Sequence, residues 1–206
     1  MGHLRAVLLA ATMPPEVHAV AEPPTPRVPM PQQLDARWQG LFAALNHEND
    51  FICAVAVGSY VEHCLRCLLQ ARLVDGNTSR TMIDPVKGPL GSLQSAANFA
   101  YCIGAITKEM KQDIERVGKV RNLFAHSIDE LSFSSDSVAA ECQGLVGPYI
   151  RPWGRPDEIV PLKDDSHPRD RFMFAACMTC SRLIIDAMTA KHIEAKGATK
   201  IQAVSG

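Results

Sequence analysis

Met110-Lys111-Gln112-Asp113-Ile114-Glu115-Arg116-Val117-Gly118-Lys119-Val120-Arg121-Asn122-Leu123-Phe124-Ala125-His126 is the stretch whose periodicity decides the fold class. Two stripes run along it. Met110, Ile114, Val117, Arg121 and Phe124 recur at i, i+4 and i+7, the spacing of one helix face. Glu115, Lys119, Asn122 and His126 repeat with the same spacing on a polar face. The segment is therefore an amphipathic helix with one side turned to a core. Arg121 falls on the apolar stripe. A guanidinium there needs a carboxylate, a cavity or a partner chain, because burying an unpaired charge is costly. Around a regular helix Arg121 and His126 stand about 140° apart. They meet at one ligand only if the helix distorts, or if Arg121 of one chain joins His126 of a second copy.

Working outward, Thr107 is a good N-cap for this helix. Gly104 is suited to close the preceding helix, expected over about Ser92 to Ile103. Asp84-Pro85 to Gly88-Pro89 reads as a turn-rich connection. Before it, Asn49 and Asp50 can start a helix running from about Phe51 to Val74, ended by Asp75-Gly76-Asn77. Phe51, Ile52, Val55, Val57, Val61, Leu65, Leu68 and Leu69 surround its first half, as in a central, buried helix. Leu34, Trp38, Leu41, Phe42 and Leu45 give a first helix one apolar face. A short helix is expected around Val138 to Leu145, and a long last one from Arg169 to His192. Residues 147–168, rich in Pro, Gly and Asp, read as a long loop. No period-two segment and no internal repeat stand out. The expected fold is all-α: an irregular helical bundle of about five to six helices.

Seven of the 14 prolines fall at or before Pro31, so residues 1–32 read as a disordered Pro-rich tail. Residues 33–195 form the expected helical domain, and 196–206 a flexible C-terminal tail. Ala6 to Met13 with Ala19-Val20-Ala21 has some look of a secretory signal, but the run is short and Pro14, Pro15 and Glu16 follow at once. The segment reads as a disordered leader or the product of an early start codon. No apolar run looks long enough, uninterrupted by charge, to span a bilayer, so no membrane is expected.

The net charge of −1, from 21 basic and 22 acidic residues, provides no global field for nucleic acid. Any such contact must be local. The stretch from Tyr149 to Arg171 interleaves aromatics and bases (Arg151, Trp153, Arg155, Arg169, Arg171), a pattern suited to single-stranded nucleic acid, although Asp157, Glu158, Asp164, Asp165 and Asp170 dilute it. Arg151, Trp153 and Arg155 are its candidate nucleic-acid-binding residues. The seven cysteines are odd in number and mostly lie in apolar helical runs, as reduced thiols do in a cytoplasmic protein. Cys64-Leu65-Arg66-Cys67 and Cys177-Met178-Thr179-Cys180 have C-x2-C spacing, with His63 beside the first. Zinc pairs sit in turns, whereas these lie mid-helix, so they read as core residues. No metal or other cofactor is expected. No P-loop, dinucleotide fingerprint or helix-turn-helix pattern is present.

Gly88-Pro89-Leu90-Gly91-Ser92, then Ile103-Gly104-Ala105-Ile106, then Arg121-Asn122-Leu123-Phe124-Ala125-His126-Ser127 resemble the signature of the mannitol operon repressor family. In that pattern G-P-L-G opens a helix, a G-L-I-like turn follows, and R-N-x-F-A-H-S closes the next helix. Ala105 stands where the turn usually has Leu. The layout matches over roughly residues 51–190. The resemblance implies a regulatory protein, a dimeric interaction module in transcriptional or stress regulation, acting on a protein partner such as a regulator or antitoxin without a DNA-binding motif of its own. The R-x4-H spacing also resembles the HEPN superfamily of small, usually dimeric helical domains, many of them metal-independent endoribonucleases. That resemblance implies Arg121, Asn122 and His126 as catalytic residues acting on RNA. The His would take the proton of a ribose 2′-hydroxyl, the Arg would stabilise charge on the phosphate, and the Asn would fix the imidazole tautomer. Whether the chain is an enzyme stays open between these two readings. A plainer role for the motif is structural: Arg121 tied to a carboxylate such as Glu62 or Asp186, and His126 favoured by the helix C-terminus.

Overall fold

A computed structural model describes residues 36–127, 130–146 and 166–195. Among them the chain is all-helical, with no strand. The helices are α1 (Ala36–Leu45), α2 (Asp50–Arg72), α3 (Asn77–Met82), α4 (Leu93–Cys102), α5 (Lys108–His126), α6 (Asp136–Gln143) and α7 (Pro168–Thr189). That is one more than the largest number expected. The addition is α3, six residues without a buried side chain, so no apolar period announces it. The expected tails at 1–32 and 196–206, Leu34 of the first helix, and Arg151, Trp153 and Arg155 of the 147–168 loop lie outside the described residues.

Capping chemistry sets the helix starts. The side chains of Asn49, Ser92 and Thr107 accept the backbone N–H groups of Ile52, Ser95 and Met110, satisfying donors that a helix's first turn leaves free. At the end of α4, Gly104 takes φ +68°, a left-handed conformation that glycine adopts without steric cost.

The core is one cluster organised around α2. Cys53, Val57, Val61, Leu65, Leu68 and Leu69 are fully buried along it. Burial of each such aliphatic side chain stabilises by roughly 1.5–3 kcal/mol before the entropy of ordering is subtracted. α7 runs parallel to α2. At their starts the Arg169 guanidinium reaches Asp50; at their ends the Ile193 N–H donates to the Arg72 carbonyl at 2.8 Å. α5 runs the opposite way. Its Phe124 ring lies 5.3 Å from Phe133, whose backbone N–H donates to Asp50 at the start of α2. Phe133 in turn packs against Phe172 of α7 at 5.2 Å, so three rings join the end of α5 to α7.

Two expectations change at this level. α2 and α7 are each long and apolar enough to cross a membrane by length and composition, with a mean hydropathy of 1.4 over their most apolar stretch. The charges that interrupt both runs in the sequence are too few within these stretches to break the apolar length. For α2 the apolar length is that of a core helix. Arg169, grouped by composition with the basic loop, is instead 4% exposed. Its guanidinium donates to the His47 and Glu48 carbonyls and to Asp50, and lies 5.7 Å from the Phe133 ring centre. It staples the α1–α2 turn to the start of α7.

Candidate functional site at the end of α5

On α5, Met110, Ile114, Val117 and Phe124 are buried, as the apolar stripe requires. Arg121 is not inside with them. It lies at the edge of the stripe, where its side chain retains 23% of its exposure and reaches α2. Its Nη1 donates to Glu62 Oε2 at 2.6 Å, and its Nε and Nη2 both donate to Asn122 Oδ1 at 3.2 Å. Gly58 makes room for this. A Cβ there would stand 2.8–3.0 Å from Cβ, Cγ and Cδ of Arg121, too close for any side chain to coexist with the present arginine stem.

Glu62 serves a second arginine. Arg66 hydrogen-bonds it one turn further along α2 and also donates to the Ile83 and Gly91 carbonyls, both at 2.7 Å. Arg121, Glu62 and Arg66 thus form one chain of charge-assisted bonds from the end of α5, across α2, to the backbone of the Gly88–Gly91 turn. Burial alone would raise the Glu62 carboxyl above its ordinary value of 4.5; the hydrogen bonds and positive charges of Arg66 and Arg121 outweigh it and hold the group lower. Two segments singled out separately in the sequence are joined by these contacts.

His126, in the last turn of α5, is exposed and faces the other way. It opens onto a groove of about 650 Å³ between α5 and α6, lined by Lys119, Asn122, Leu123, His126, Ser127, Leu131, Ser137 and Glu141. Glu141 of α6 takes a hydrogen bond from Arg116 at 2.9 Å and a longer one from Lys119 at 3.4 Å. The groove therefore carries a paired carboxylate, an exposed lysine and an imidazole beside apolar Leu123 and Leu131.

Of the three residues carried over by resemblance, the structure brings together Arg121 and Asn122. Asn122 also lines the groove with His126, but its side-chain oxygen is directed to Arg121 rather than to the imidazole. Arg121 does not line the groove. Glu62 was named in the sequence only as one possible partner for Arg121; Arg66 and Gly58 were not singled out. The i, i+4 spacing of Glu62 and Arg66 is a signal that a pairing search along α2 finds.

The two C-x2-C pairs separate. Cys64 faces Cys180 closely enough for the two thiols to perturb each other, whereas the Cys67 sulfur lies 3.6 Å from His63 Nε2. The Cys64 contact and burial push the Cys180 thiol well up. Among the described residues no group of three His, Cys, Asp or Glu side chains is placed to hold a metal ion.

No family model matches the chain, and no curated protein matches it. Among solved structures, it is similar to a chain of the X-ray structure of the MtlR-HPr complex from Escherichia coli. The match covers 73% of this chain and 97% of that one, with 18% identity and a TM-score of 0.45.

Proposed function

We propose that this chain is a regulatory helical module that works by binding a protein partner, with no bond-making chemistry of its own, and that it does so as a homodimer. One observation carries the reading: the Arg121 guanidinium is occupied by Glu62 and Asn122 on the α2 side, away from the groove into which His126 opens. Within one chain, a phosphate placed at His126 is not met by Arg121. The arginine that the resemblance pairs with the base is therefore turned away from it, and Lys119 is the cation that lines that groove. The resemblance of Gly88–Ser127 to the mannitol operon repressor signature supports the same reading. Its arginine and its G-P-L-G turn find a shared structural purpose through Glu62 and Arg66. The groove combines Leu123 and Leu131 with a polar rim, a composition suited to a protein surface.

The test uses purified full-length protein with total RNA in EDTA, wild type beside His126→Ala. The proposal expects no cleavage by either. Cleavage by wild type that disappears in the variant would establish the metal-independent endoribonuclease of HEPN type instead, with Arg121 supplied across a dimer.

A further inference from the structure

Among the described residues, α7 is apolar on both sides but packed against the core on one. Phe172, Met173, Ala175, Ala176, Thr179, Cys180 and Leu183 face the core. The opposite stripe is Phe174, Met178, Ser181, Ile185 and Met188, at successive steps of four, three, four and three residues. Phe174, Ile185 and Met188 are 36%, 47% and 81% exposed. The stripe extends for about 21 Å along the helix. Solvent-facing positions of a helix that packs by one side are normally charged, and an apolar row there, interrupted only by the small Ser181, marks a contact surface.

We propose that this outer face of α7 is where two copies of the chain pair, antiparallel, about a two-fold axis beside Ser181. The proposal rests on the dimeric part of the function proposed above and moves the interface away from the end of α5, whose arginine is already paired within the chain. The row is nearly palindromic. Antiparallel pairing centred on Ser181 sets Phe174 against the partner's Met188 and Met178 against the partner's Ile185. The small Ser181 meets its own copy, where the backbones come closest. A two-fold interface requires this kind of self-complementarity. The ends match in charge as well. Asp170 is exposed at the start of the helix and Lys191 just beyond its end, so the antiparallel arrangement brings opposite charges together at both rims. The Arg182–Asp186 pair flanks the row without interrupting it. A membrane is the less suitable cover, although the helix is long and apolar enough to enter one. Helices that lie on lipid carry several basic residues along the rim, and Arg182 is the single exposed base within α7.

Light scattering on the full chain at tens of micromolar tests this, comparing wild type, Ile185→Glu with Met188→Glu, and Ser181→Cys under mild oxidation. The expected results are a wild-type mass of twice the 22.5 kDa chain, a halved mass for the double variant with unchanged helix content, and a covalent dimer from Ser181→Cys, made in a Cys102→Ser background to remove the exposed native thiol, that Cys102→Ser alone does not form. A double variant that stays dimeric overturns the α7 face while leaving the homodimer intact. A monomeric wild type overturns the homodimer itself. A monomeric wild type that floats with phosphatidylserine–phosphatidylcholine vesicles assigns the face to lipid. None of these outcomes measures RNA cleavage, so the non-catalytic reading is overturned only by cleavage itself; a monomeric wild type removes only the route in which Arg121 is supplied across a dimer.

Discussion

Truncating Arg169 to alanine should be among the most destabilising single changes in the chain. The side chain is 5% exposed and joins three segments through Asp50 and the His47 and Glu48 carbonyls, with the Phe133 ring beneath the guanidinium. Removing it leaves two carbonyls and a carboxylate in a site shaped for a cation. Asp50 keeps the Phe133 N–H as a donor, so it is not wholly abandoned. Breaking a buried charge pair from one side costs roughly 3–5 kcal/mol. A domain of this kind has only about 5–15 kcal/mol in total. Urea denaturation followed by far-UV circular dichroism, at constant m-value, reads the loss directly. Arg169→Lys keeps the charge but not the planar fork, and should recover part of the loss. A drop below about 1 kcal/mol for Arg169→Ala would mean that the guanidinium is not a buried staple, because that is the cost of an exposed pair whose partners water can serve.

Gly58→Ala should displace the Arg121 stem and weaken the Arg121–Glu62 bond, lowering stability by roughly 1–3 kcal/mol as overpacking does; combined with Arg121→Ala the penalty should shrink only in part, because alanine keeps the Cβ that would stand 2.8 Å away, which a second urea series measures. The Glu62 carboxyl is held below 4.5 when folded, so between that lower value and 4.5 the unfolded chain binds more protons and stability falls as pH falls; the contribution is complete above about pH 4.5, and Glu62→Gln should flatten this acid limb of a stability–pH profile. Among the thiols, exposed Cys102 should react first with a disulfide reagent, while Cys142, pushed up to about 12 by burial and the Glu141 charge, and Cys180 should resist until the chain unfolds.

Much of the fold was legible because its signals are local. Asn49, Ser92, Thr107 and Gly104 act at helix ends where a few neighbouring residues decide the geometry, and the α5 stripe shows its period within one element. What was not legible depends on distant partners. The residue that neutralises Arg169 is 119 positions away, so composition alone assigned that arginine to a basic loop. Helical arithmetic placed Arg121 among buried neighbours, but a long side chain at the margin of a stripe reaches sideways, here to a carboxylate 59 positions earlier. The need for a partner was legible, and Glu62 was already among the candidates. The space created by Gly58 was not, because nothing in the sequence marks which helix lies against it. α3 escaped notice for a different reason: Asn77-Thr78-Ser79-Arg80-Thr81-Met82 buries no side chain and has no period to detect.

Arg121 belongs to the network joining α5, α2 and the Gly88–Gly91 turn. A double-mutant cycle of Arg121→Ala and Glu62→Gln, read by urea denaturation, tests it most directly, because it isolates the coupling between the two side chains. The pair is about three-quarters buried on each side and Glu62 keeps Arg66 when Arg121 is lost, so the account predicts a favourable coupling of roughly 1 kcal/mol. A coupling of zero, with Arg121→Ala as stable as wild type yet deficient in RNA cleavage, would contradict it and return Arg121 to a catalytic cleft.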